Sequence, residues 1–110
     1  MHDLTIRNAS IIDGSGKAGF RGDVAVDGDR ITAVEPAGTL TPGKEDIDAS
    51  GLVVTPGFVD IHTHYDGQVC WDKEVTPSSW HGVTTVIMGN CGVGFAPVHP
   101  GSEDALVSLM

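Results

Sequence analysis

Two strings in this 110-residue sequence hold side chains suited to chemistry: His62-Thr63-His64, and Cys91 within Gly89-Asn90-Cys91-Gly92-Val93-Gly94. Residues i and i+2 of a strand point to one face, so His62 and His64 project together, about 6–7 Å apart along the chain. Two imidazoles so placed can converge on one metal ion at about 2.0–2.1 Å. Cys91 follows His64 by 27 residues, room for one loop, one short helix and one strand. With both strings just past the C-terminal ends of neighbouring parallel strands, the three side chains share the rim where ligands gather in such sheets. A thiolate with two imidazoles is a borderline-soft donor set that suits zinc. The same positions allow Cys91 to act as a covalent nucleophile with His62 or His64 as its base. A base needs only one imidazole, whereas a metal uses both. The glycines around Cys91 lack the Lys-Ser/Thr of a phosphate loop and do not open directly into a helix. Asp66 and Asn90 lie within two residues of these donors. They are placed to orient an imidazole or to touch substrate, although solvated loop residues look the same. Cys70, His2, His81 and His99 read as bystanders, and Trp71 and Trp80 as packing residues.

The elements around these strings must position them. Phe58-Val59-Asp60-Ile61 is a compact apolar strand running into the histidine pair. Thr84-Thr85-Val86-Ile87-Met88 is a β-branched run, apolar on both faces as buried parallel strands are. Between them, Thr76 as N-cap, Pro77 at the first helical position and Gly82 as the stop predict a helix over 76–82. Strand, helix and strand make a βαβ-type unit with a right-handed crossover, ending in a loop over 90–97. Ser102 caps a last helix with Glu103 and Asp104 in its first turn, as the helix dipole favours. Its apolar spacing still runs at Met110, which reads as a chain cut short. Upstream, residues 3–55 predict short strands: Leu4 to Ile12, a hairpin around Asp27-Gly28-Asp29, then Ile47 and Leu52-Val53-Val54. The expectation is a small antiparallel β layer over 1–55 and an α/β segment over 56–110, divided at Pro56-Gly57.

Composition limits the partners. Fifteen Asp and Glu against six Lys and Arg leave a net charge of −9, which disfavours nucleic acid and anionic membranes. No run reaches the roughly 18 apolar residues of a membrane span. The N-terminus has no basic flank followed by an apolar core, so the expected location is the cytoplasm, with both thiols reduced.

The string Pro56-Gly57-Phe58-Val59-Asp60-Ile61-His62-Thr63-His64 resembles the opening of the amidohydrolase superfamily. The stretch His81-Gly82-Val83-Thr84-Thr85-Val86-Ile87-Met88-Gly89-Asn90-Cys91-Gly92, continuing to Pro97, resembles its D-aminoacylase branch, the N-acyl-D-amino-acid deacylases. The likeness is weak over 3–55 and strong over 56–98. It implies a (β/α)8 TIM-type barrel carrying a small β-sandwich, of which this chain would hold part of the sandwich and the first two barrel strands. It implies His62 and His64 as first-strand metal ligands and Cys91 as the zinc-ligating cysteine of that branch, with one or two ions bound. Many other amidohydrolases use a carboxylated lysine from a later strand instead. The remaining metal histidines and the general-base aspartate of the family lie downstream, beyond residue 110. The residues after the His-x-His are often Asp-Asp in that branch and are Tyr65-Asp66 here, a hint of a different substrate preference. The implied reaction is hydrolysis of the amide of a small-molecule N-acyl-D-amino acid. A TIM-type barrel needs roughly 250 residues, so the chain is expected to be an N-terminal fragment, marginally folded and inactive alone. Two alternatives stand beside this reading. One is a cyclic-amide hydrolase of the hydantoinase or dihydroorotase type, against which Cys91 in its Gly-Asn-Cys-Gly setting argues. The other is a truncated, non-catalytic metal-binding or assembly paralogue.

Overall fold

The computed structural model describes residues 1–92 and 97–108. Part of the expected 90–97 loop and the end of the last expected helix therefore lie outside the described residues. The chain divides into two compact units, Met1–Pro56 and Gly57–Met110.

In the first unit, β1 (Leu4–Ile11), β2 (Phe20–Asp27), β3 (Arg30–Pro36), β4 (Glu45–Asp48) and β5 (Val53–Val54) form one sheet. Its order is β3-β2-β1-β4, with β5 also on β1. The β2–β3 hairpin expected around Asp27-Gly28-Asp29 forms, and because Asp27 pairs with Arg30 its turn is Gly28-Asp29 alone. The sheet is not purely antiparallel, however. Both β4 and β5 run parallel to β1. The reason is the 37–44 connection, which carries the chain from the β3 edge to the far side of β1. A hairpin would have reversed the chain direction; this crossing restores it.

Two buried polar residues hold the crossing segment to the sheet. Asp23 on β2 accepts the backbone N–H groups of Gly38 at 2.8 Å and Leu40 at 3.1 Å. Thr5 on β1 accepts that of Gly43 at 2.9 Å and donates to Asp46 at 2.6 Å. Arg7 makes a two-pronged bond to Asp46, each arm 2.7 Å. With the Thr5 hydroxyl it pulls the Asp46 carboxyl down to about 2. The apolar core is small: Ala9, Ile11, Val24 and Ala49, with Ile6, Val26 and Val54 packed against it.

One extra residue interrupts the β1–β2 register between Ile6 and Ala9. Asn8 sits there at φ 62°, its N–H on Asp23 at 2.8 Å and its side-chain amide on Asp48 at 3.0 Å. Asn tolerates this left-handed conformation better than most residues with a Cβ. Asn8→Val is therefore expected to cost about 1–2 kcal/mol and Asn8→Gly distinctly less, as read by thermal denaturation.

The second unit pairs β6 (Phe58–Asp60) with β7 (Val83–Val86) in parallel, as the expected strand order requires. The connection differs from expectation. Instead of a helix over 76–82 there are two short 3-10 turns, Gln68–Cys70 and Ser78–His81. Thr76 is no cap, because its N–H and its hydroxyl both donate to Asp72, each at 2.7 Å. Gly82 does end the second turn, in the left-handed conformation. The strands are not buried either. Phe58 is 60% and Val59 58% exposed, because a two-stranded sheet joined by short turns supplies nothing among the described residues to cover its faces. Trp71 and Trp80 are likewise exposed rather than packed. The last helix, α1 (Glu103–Val107), follows Ser102, whose side chain makes no capping bond.

Candidate metal centre

The two strand ends are tied together before any side chain reaches into the site. Gly57 lies so close to Thr84 that a Cβ there would collide with its side chain, which lets β6 and β7 run at close approach. Past the strands, Ile87 donates its N–H to the Asp60 carbonyl at 2.8 Å, and its own carbonyl accepts the Thr63 hydroxyl at 2.8 Å. This explains the residue between the histidines. Thr63 is buried and spent on the neighbouring strand end, while His62 and His64 stay exposed. Their rings lie nearly parallel, 5.8 Å between centroids.

Cys91 is fixed from both sides. The Asn90 amide donates to the Ile61 carbonyl at 3.0 Å. Gly92 backs onto the Asp66 carboxylate, with no space for a Cβ between them. Asn90 and Asp66 thus link the cysteine segment to the histidine segment. Both cysteines are free thiols; Cys70 is exposed and Cys91 half-buried. The ligand atoms of His62, His64 and Cys91 all lie within 4.8 Å of one another. A tetrahedral ion bonded at about 2.0–2.1 Å to nitrogen and 2.3 Å to sulfur needs donors roughly 3.3–3.6 Å apart. Small side-chain rotations span the difference, so the donors fit one zinc-sized ion in both chemistry and spacing.

A cleft of about 320 Å³ opens beside the histidines, walled on its other side by Tyr65, Gln68, Pro77 and Ser78. Asp72 organises that wall. It accepts from Thr76, from the Gln68 amide at 2.8 Å and from the Glu74 N–H at 3.0 Å. These bonds, Thr76 foremost, hold its carboxyl well below the usual carboxylate range. Sequence reasoning singled out neither Asp72 nor Ser78 and read Tyr65 only as a departure from Asp-Asp. The available signal was an Asp two and four residues before N–H groups, the spacing of an Asx-type turn.

The chain is similar to known proteins. The model of the amidohydrolase family matches residues 45–107. A D-aminoacylase from Alcaligenes xylosoxydans xylosoxydans is 42% identical over 108 residues, 98% of this chain and 22% of that protein. An N-acyl-D-aspartate deacylase from the same organism is 45% identical over 96 residues, 87% of this chain and 19% of that protein. Among solved structures, the N-acyl-D-glutamate deacylase from Bordetella bronchiseptica, complexed with zinc and a phosphonate inhibitor, superimposes with a TM-score of 0.78 at 37% identity. That match covers 96% of this chain and 23% of the other. The chain spans about a fifth of the length of the curated relatives it matches. Among the described residues no helix is long and apolar enough to cross a membrane. The family match takes in the histidine pair, Cys91 and the strands that present them, and on that ground the chain belongs to the amidohydrolase family.

Proposed function

We propose that this sequence is the N-terminal part of a zinc-dependent amidohydrolase that cleaves the amide of N-acyl-D-amino acids in the cytoplasm. The observation that carries the reading is the convergence of His62, His64 and Cys91 from two adjacent parallel strand ends. The D-aminoacylase and deacylase relatives support the substrate class. In this reading residues 1–55 belong to a β-sandwich and residues 56–110 open a (β/α)8 barrel, with β6 and β7 as its first two strands. The exposed side chains of Phe58 and Val59 suit strands that further barrel elements cover.

His62 and His64 as neutral imidazoles, with Cys91 as a thiolate, would hold the ion. Zinc, when bound, supplies Lewis acidity toward an acyl carbonyl and toward water. Thr63, Asn90 and Asp66 hold the donors in register, so little ordering is left for the moment of binding. The general base is expected outside this chain.

The full-length protein should release D-amino acids from N-acetyl-D-amino acids faster than it hydrolyses the L-forms. The 110-residue chain alone should release none. A preference for L-substrates, or for cyclic amides, would assign the protein to another branch. Because the ligands must be deprotonated to bind, zinc retention should fall as the pH is lowered. Equilibrium dialysis across pH 8 to 5 (roughly the range in which imidazole loses its metal-binding form) checks this, and flat retention would count against histidine ligation.

A further inference from the structure

The residue that ends β6 is tied by its side chain to the first of the metal donors. Asp60 is the last residue of the ladder, paired with Val86, and its carbonyl takes the Ile87 N–H at 2.8 Å. Beyond it the chain bends out of the sheet. The His62 N–H is taken up by the Asp60 carboxylate at 3.0 Å. An Asp that accepts the N–H two residues on makes an Asx turn, a local alternative to continuing a strand. Asp60 thus stops β6 and at the same time fixes the backbone from which the His62 imidazole projects.

The next residue is held as well, since the Thr63 hydroxyl donates to the Ile87 carbonyl. The His62 backbone is therefore gripped from before and after, while its ring stays exposed. A metal donor has to be placed within about 0.5 Å of its working position, and a loose strand end would have to be ordered when the ion arrives. The Asp60 carboxylate is half-buried and lines the same cleft as His62 and His64, so it brings a negative charge to the donors in addition to the turn. Reach and charge are separable by substitution. Asn keeps an acceptor oxygen at the same reach without the charge. Glu keeps the charge on a stem one methylene longer, which does not close the same two-residue turn.

We infer that Asp60 is a positioning residue for the metal centre, whose side chain locks the His62 backbone and so sets the approach of that imidazole to the ion. The inference rests on the metal-site reading above. It gives Asp60 its effect through the hydrogen bond to His62, with the charge as the smaller contribution. Groups that orient a ligand in this way are worth roughly 10–100-fold in metal affinity.

The test uses the full-length protein. Zinc affinity is measured by competition with a chelator, and the geometry at the ion by the visible absorption of the protein loaded with cobalt(II) in place of zinc. Asp60→Ala should bind zinc about tenfold more weakly than wild type, with altered cobalt bands. Asp60→Glu should behave like Asp60→Ala despite its charge. Asp60→Asn should stay within about threefold of wild type and give the wild-type cobalt spectrum. Wild-type zinc affinity and cobalt bands in both Asp60→Ala and Asp60→Glu would overturn the inference. So would the reverse ordering, with Asp60→Glu intact and Asp60→Asn as weak as Asp60→Ala, because charge alone would then account for the effect. If Asp60→Ala fails to fold, the Asn and Glu variants decide by the same readings, and a tenfold loss in Asp60→Asn overturns the inference by itself. Wild-type protein that retains no zinc would instead overturn the metal-site reading.

Discussion

Cys91→Ala in the full-length protein is expected to lose zinc at least about tenfold more readily than wild type. Disturbing groups that merely support a ligand already costs roughly 10–100-fold in affinity, and this change deletes a donor outright. The measurement is zinc per protein after dialysis against a graded chelator. Asn90→Ala should show a smaller loss. It keeps the sulfur but frees the segment now tied to the Ile61 carbonyl. The ordering of the two variants separates a ligand from the residue that places it. Undiminished zinc in Cys91→Ala would remove the sulfur from the proposed cage and revive the reading of Cys91 as a nucleophile. In that case the alanine variant should lose activity while keeping its metal.

The second large effect is on stability. Asp23 is fully buried, and its carboxylate takes the N–H groups of Asn8, Gly38 and Leu40. It thereby secures both the β1 irregularity and the crossing segment. Replacing it with alanine leaves these donors without their acceptor, at a cost of about 3 kcal/mol. Asp23→Asn should cost less, since one oxygen remains. Burial by itself would raise the Asp23 pKa, but the backbone N–H groups together outweigh it and hold the value below the ordinary 3.8. The sign follows from linkage. The carboxylate's contribution is fully present above the unfolded pKa and is lost as the pH falls through the lower folded value. Wild type should therefore lose its advantage over Asp23→Asn on acidification below about pH 4. Chemical denaturation at neutral and acidic pH tests this. A constant difference between the two proteins would mean that the charge at Asp23 is not what stabilises the fold.

Residue type and spacing carried much of this protein. The Gly28-Asp29 turn, the parallel partnership of β6 and β7, and the stop at Gly82 all follow from short-range chemistry visible in the chain. His62, His64 and Cys91 stood out for the same reason: few residue types can ligate a metal, and their spacing fits strand geometry. The misjudged elements failed where a competing contact, near or far in the chain, overrode the expected one. Thr76 has the composition of a helix cap, but Asp72 takes its side chain. Ile47 and Val53 read as antiparallel partners, yet the crossing segment turns their strands parallel to β1.

What the sequence settled alone is the inventory: which side chains could bind a metal, and that two strands would present them. What only the folded chain decided is how unlike segments meet. Asn90 reaches the Ile61 carbonyl, Gly92 backs onto Asp66, and Tyr65 finds Ser78 thirteen residues away. No local pattern encodes these meetings, because they depend on where the backbone returns in space, and that is set by the summed pairing and packing of residues far apart in the chain.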